Sequence, residues 1–326
     1  MRRLPLALLL IAACSLPLIP GCGDDDTSPQ PPSQPAPDGG TPDGGGTGTP
    51  DAGPDAGAGD TTAPSVISSS PAEGTTGLYP VEVYYRTTGQ AGLSERKVFT
   101  VEFSEPMDTS VIQATLLNLT DSTATPRSVQ GTWAADGRKL TLVALQPDEG
   151  GPVLEEDSSY ALDLKGFRDP SGNPLDATHP GLGDGRLDFK TGANDPLLNH
   201  ACGHTLVDTV LPVSASATPT GTVPRTDQTH KLYEVTMPQE GSGYSGYTRL
   251  RLAPETAYVL FLDHEVSVAL STSTDGAPVD SSIETAPPAC SGITHRVLFT
   301  APDAPEVRAR FTSPDSKLRV ILEESF

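Results

Sequence analysis

From Pro64 onward the chain breaks into short runs of alternating apolar and polar residues, rich in β-branched and aromatic side chains and punctuated by Gly, Pro, Asp and Asn. Val98-Phe99-Thr100-Val101-Glu102-Phe103 alternates, Lys139-Leu140-Thr141-Leu142 follows the turn signal Asp136-Gly137, and Tyr160-Ala161-Leu162-Asp163-Leu164 alternates again. A period of two puts one face of each run on a core, so these segments predict half-buried strands. Six more follow: Lys231–Val235, Tyr247–Leu252, Tyr258–Leu262, Val266–Leu270, His295–Phe299 and Leu318–Leu322. Short strands with frequent turns predict sandwiches rather than βαβ units. The expected fold class is all-β, two antiparallel β-sandwich domains, with the second (residues 194–326) a sandwich or jelly roll. The two cores are expected to be separate.

Upstream of Pro64 the pattern disappears. Between Gly23 and Ala63, 18 of 41 residues are Gly or Pro and eight are Asp, with no Lys, Arg or aromatic residue. Such a segment has too little apolar surface to offset the entropy of ordering it. Residues 22–63 are therefore expected to form a disordered stalk, its Asp24–Asp26 run a solvated charge cluster rather than a Ca²⁺ site. Before it, Met1-Arg2-Arg3 and the apolar Leu4–Ala13 read as a basic n-region and an h-region too short for a confident membrane span. Two cysteines close apolar runs here, in Ile11-Ala12-Ala13-Cys14 and Ile19-Pro20-Gly21-Cys22. Both resemble the lipobox of bacterial lipoproteins. Cys22, where apolar sequence gives way to Gly23-Asp24-Asp25-Asp26, is the preferred lipidation residue and Cys14 the alternative. The resemblance implies a signal peptide over residues 1–21, a diacylglyceryl thioether and an acylated amino group, hence stable membrane attachment. The expected location is the bacterial envelope, at the outer membrane or cell surface.

Composition narrows the function. Acidic residues outnumber basic ones 42 to 21, giving a formal net charge of -21. A chain with so few cations cannot neutralise phosphates, which excludes a general nucleic-acid binder. The 33 Pro and 32 Gly argue against a helical bundle.

Residues 64–193 carry ordered landmarks: Ser70-Pro71-Ala72-Glu73-Gly74, Val101-Glu102-Phe103-Ser104-Glu105-Pro106-Met107-Asp108, Asp136–Leu142, Tyr160, Asp169-Pro170-Ser171-Gly172-Asn173-Pro174-Leu175 and Phe189-Lys190-Thr191-Gly192. In this order they resemble the bacterial Ig-like domain of the SbsA type. The resemblance implies a spacer or adhesive sandwich without catalytic residues, on a non-enzymatic envelope protein acting in binding, adhesion or envelope architecture toward a protein or glycan ligand. Met107 and Trp133 are expected to fill its core. Asp169 with Asp176 and Asp184 forms an acidic group that could hold Ca²⁺, although solvated or capping roles are the simpler expectation.

The remaining chemistry clusters in the C-terminal part. Cys202 and Cys290 are the two cysteines outside the targeting segment, and an exported chain is expected to bond them. Around them lie His200-Ala201-Cys202-Gly203-His204, His230, His264 and His295. Imidazoles suit zinc or copper, so His200, His204, His230 and His295 are a candidate metal set for the alternative reading, a metal-binding lipoprotein. His200, Cys202 and His204 share a face only if the segment is extended, and Gly203 makes a turn as likely. Otherwise no cofactor is expected. The sequence has no H-E-x-x-H, nucleophile elbow, P-loop or dinucleotide fingerprint, and Gly241–Gly246 reads as a flexible hairpin loop. An exported hydrolase built from scattered residues is the third reading.

Overall fold

A computed structural model describes residues 59–326 except Gln90, Ala124, Asp148, Glu149, Gly183, Pro305 and Phe326. The expected signal peptide, Cys14, Cys22 and most of the expected stalk lie outside the described residues. What is described is nearly all β, in four sheets, with a single helix among the described residues.

The first ten strands are β1 (Val66–Ser70), β2 (Thr75–Leu78), β3 (Glu82–Arg86), β4 (Gly92–Phe103), β5 (Thr115–Asn118), β6 (Arg127–Ser128), β7 (Gln130–Trp133), β8 (Lys139–Leu145), β9 (Ser159–Asp163) and β10 (Arg186–Thr191). They form two facing sheets, β1-β4-β8-β7 with β3 also paired to β4, and β2-β10-β9-β5-β6. The expected alternation is realised in β4 and β8, whereas in β9 Tyr160, Ala161 and Leu162 are all buried. Phe99, Val101 and Phe103 of β4 and Leu140 and Leu142 of β8 are buried while their neighbours face outward. Gly137 sits at φ +67° in the β7–β8 turn, a left-handed position that favours glycine. Met107 is buried, and Trp133 packs partly buried against Phe103 and Phe167.

After β10 comes the helix α1 (Pro196–Val207), where only strands and turns are expected from the sequence. Ten strands follow it: β11 (Leu211–Ser214), β12 (Leu232–Thr236), β13 (Gln239–Glu240), β14 (Gly243–Leu250), β15 (Ala257–Leu262), β16 (Ser267–Thr272), β17 (Ser281–Thr285), β18 (His295–Thr300), β19 (Val307–Ser313) and β20 (Lys317–Glu324). They make a six-stranded sheet, β11-β12-β20-β15-β18-β17, and a four-stranded one, β13-β14-β19-β16. Much of the segment expected as a hairpin loop is strand, since Gly243–Gly246 belong to β14.

The six-stranded sheet is covered on both faces. Tyr258, Leu260 and Leu262 of β15, with Val320 and Leu322 of β20, point into the cluster shared with the four-stranded sheet. Their alternates Val259, Phe261 and Ile321 join a second cluster with Leu198, Ala201 and Cys202 of α1. That second cluster continues into Phe99, Phe103 and Tyr160 of the first sandwich, so the expected separation of the cores does not hold. The reason is α1: it lies between β20 and β3, with Leu198, Ala201, Cys202 and Gly203 buried there. Hydrogen bonds run across the same seam, from Val83 N–H to the Ala289 carbonyl (2.8 Å) and from the Tyr79 hydroxyl to Asn199 Oδ1 (2.6 Å). The described residues all fall within one compact unit.

Candidate metal centre

The site begins with a helix start. Asp195 caps α1, its Oδ1 accepting the Leu198 N–H at 3.0 Å, and Pro196 fills the first helical position, where no N–H is needed. Once the segment is helical rather than extended, His200 and His204 stand four residues apart on one face. Cys202, buried between them, is bonded to Cys290, which fixes the middle of the helix to the loop before β18 and removes both sulfurs from the set of possible ligands.

Beneath this face lies Glu323 of β20. Two residues beyond Ile321, it is on the side of the sheet that α1 covers. Its side chain is fully buried. Glu323 Oε1 is 3.4 Å from His200 Nδ1 and 3.6 Å from His204 Nε2, and Oε2 is 2.6 Å from His230 Nδ1. None of these approaches has hydrogen-bond geometry: both Glu323 oxygens and His204 Nε2 are buried polar atoms without a hydrogen-bond partner. One donor atom from each of the four residues falls within 4.8 Å of all the others. Burial, with Asp208 adding to it, pushes the Glu323 carboxyl up to about 7. His200 is pushed down, by burial and then by the neighbouring His204 and His230.

Other residues hold these side chains in place. His204 Nδ1 is 2.9 Å from Asp208 Oδ2. An acid at a helix C-terminus opposes the helix dipole, but here its Oδ2 is placed to accept a hydrogen bond from Nδ1–H, the tautomer whose Nε2 lone pair faces Glu323. His230 has φ +60°, a left-handed conformation that costs a non-glycine residue about 1–3 kcal/mol, and its N–H donates to the Leu322 carbonyl at 3.1 Å. Unpartnered buried donors, an oriented imidazole and a strained backbone together form an arrangement suited to an ion with N and O ligands.

Of the four histidines expected as ligands, the structure brings together His200, His204 and His230. His295 is elsewhere: it pairs with Leu262 on β15, whereas Glu323 pairs with Val259, about 10 Å along the strand. Its Nδ1 contacts Thr294 Oγ1 instead, at 2.9 Å. The acidic group also differs from expectation. Asp169 lies with Asp60 and Glu105, not with Asp176 and Asp184, and its oxygens accept the Asn173 backbone and side-chain N–H groups at 2.8 and 2.7 Å. Asp176 caps the Thr178 N–H at 2.9 Å.

His264 contacts Asp263 Oδ1 at 2.7 Å and Ser313 Oγ at 3.3 Å, the residue types of a hydrolytic triad. Ser313 is buried, however, and its Oγ accepts the Asp315 N–H, while Asp263 Oδ1 accepts the Arg319 N–H. The trio braces the β19–β20 turn and presents no accessible nucleophile.

Comparison with known proteins bears on the first sandwich. Residues 60–191 match the bacterial Ig-like domain family. The strands described above for β1–β10 fall within that match. Ig-like domains of this family fit binding or adhesion in general, and the family is generally non-catalytic. No curated protein matches the chain.

Proposed function

We propose that this chain is a metal-binding protein of the bacterial envelope, in which His200, His204, His230 and Glu323 hold one divalent transition-metal ion of the zinc or copper class. The observation that carries this reading is the buried Glu323 carboxylate, whose two oxygens face three imidazoles without a hydrogen bond. An ionised group in that position is costly unless a cation completes it. Three imidazoles and a carboxylate without thiolate suit Zn²⁺ or Cu²⁺ rather than the softer Cu⁺. Two features support export: the Met1–Cys22 segment resembles a lipoprotein signal, and the Cys202–Cys290 disulfide suits an oxidising compartment. With a lipid on Cys22 and the Gly/Pro/Asp-rich segment to Ala63 as tether, the Ig-like part would hold the metal centre away from the membrane.

The test is metal analysis and calorimetric titration of the metal-stripped full chain with Zn²⁺ and with Cu²⁺. One ion per chain is expected. Glu323→Gln and His204→Ala should each weaken binding at least tenfold, and His295→Ala should leave it unchanged. Stoichiometric binding of unaltered affinity in a His204→Ala/His230→Ala double variant would sink the proposal.

A further inference from the structure

The four donors are not equally enclosed. Glu323 is fully buried and the His204 side chain is 16% exposed, but His200 and His230 are 52% and 46% exposed. These two also line a cavity of about 750 Å³. Its remaining surface is largely apolar, formed by Pro196 and Leu197 from α1, Val259 and Phe261 from β15, and Leu298 from β18. The cation that borders it, Arg296, is already committed, with Nη1 2.5 Å from Asp195 Oδ2 and Nε 2.5 Å from Glu284 Oε1. No charge in the lining is left to receive a charged tail.

We infer that the site takes a small organic ligand, an anionic oxygen donor on an apolar body, with the donor on the metal and the body in this cavity. The inference rests on the metal reading given above. A structural ion is closed off by its protein ligands, whereas a working one keeps a position open to incoming molecules. Here the side of the centre bounded by His200 and His230 opens onto the cavity. Charge selects the head group: a divalent ion with one carboxylate carries a net charge of about +1, and a monoanionic donor neutralises it in a partly apolar site. Cavity chemistry selects the body, since burying apolar surface on Pro196, Leu197 and Leu298, over a floor of Val259 and Phe261, is favourable and no free ionic partner is present.

The experiment uses the full chain loaded with Co²⁺, whose visible absorption reports its coordination, and two ligands with the same head group, acetohydroxamate and benzohydroxamate. Both should shift the spectrum, and benzohydroxamate should bind at least tenfold more tightly because only its ring fills the cavity. Leu298→Gln and Leu197→Gln, at two partly exposed positions, should bring the two affinities within about threefold while one Co²⁺ per chain is retained. A Co²⁺ spectrum insensitive to both hydroxamates overturns the inference and leaves the metal reading standing. Equal affinity for the two ligands in the unaltered chain overturns the assignment of the cavity. Failure to bind Co²⁺, Zn²⁺ or Cu²⁺ at all overturns the metal reading and this inference with it.

Discussion

Replacing Cys202 and Cys290 by Ala tests how far the two sandwiches behave as one body. The bond joins residues 88 apart in sequence. On the chain-entropy model, closing a loop of that length stabilises by about 4.5 kcal/mol, and measured losses are more often about 2–4 kcal/mol. For a unit of roughly 270 residues (56–326) each kcal/mol is worth about 2 °C, so a loss of roughly 4–8 °C in melting temperature is expected. The informative quantity is where the loss is felt. Trp133 is the single tryptophan of the chain and packs against Phe103 and Phe167, in the sandwich that does not contain the bond. Because Cys202 belongs to the same apolar cluster as Phe103, melting followed by Trp133 fluorescence should shift down together with melting followed by far-ultraviolet circular dichroism. If the Trp133 midpoint stays in place while the dichroism splits into two transitions, the sandwiches melt independently and the continuous core has no energetic meaning.

Three further outcomes are expected. Lys97 is buried at the same seam, donates to the Tyr79 carbonyl at 2.6 Å and is pushed down to about 8 by burial. Between pH 8 and 10.5 the unfolded chain binds the proton more tightly, so this group adds stability as pH rises, up to about 3 kcal/mol. Lys97→Met should therefore be stabilising near pH 7 and lose that advantage by pH 10.5 in paired denaturant titrations; an advantage that does not change with pH would refute this. Gly203→Ala should stabilise α1 by about 0.5–1 kcal/mol, because an added Cβ would meet only the Cδ1 tip of the exposed Leu93 at 2.9 Å; a lower melting temperature would show that Leu93 cannot give way. Cys22→Ala should abolish incorporation of labelled fatty acid and release the exported chain from membranes, and label lost from Cys14→Ala instead would move the anchor to Cys14.

What the sequence made legible follows from how local each signal is. Strands β4 and β8 were visible because period-two burial is written in consecutive residues, and β9, β15 and β20, buried on both faces for much of their length, because their runs of apolar, β-branched and aromatic residues are equally local. Helix α1 was hidden by its own composition, with two histidines, an asparagine, a cysteine and a glycine within twelve residues and no clean apolar stripe. The signal that could have revealed it is Asp195-Pro196, a capping residue followed by a first-turn proline, with His200 and His204 at helical spacing. β19 has the same alternation as its neighbours, Val307, Ala309 and Phe311, but small and charged residues dilute it. The disulfide could be read because the segment after the expected signal and stalk holds two cysteines, which leave a single pairing. Glu323 could not be found in this way. It occupies a strand position next to buried leucine and isoleucine, and only the packing of α1 over β20 turns that position into the floor of a site. His295 misled for the converse reason: it lies five residues from Cys290, while the pairing of β18 carries it away from the other three.

The seam between the sandwiches bears on inheritance as well as on stability. Repeated modules spread through genomes when each closes its own surface, so that copies can be inserted, lost or exchanged at their linkers. Here Tyr79 and Val83 on the Ig-like side are bonded to Asn199 and Ala289 on the other, and α1 needs both partners. Substituting a foreign Ig-like module would expose the back of the helix that carries two of the proposed ligands. Selection on the histidines therefore extends to residues more than a hundred positions upstream, and the two halves are expected to descend together, with compensating changes paired across the seam.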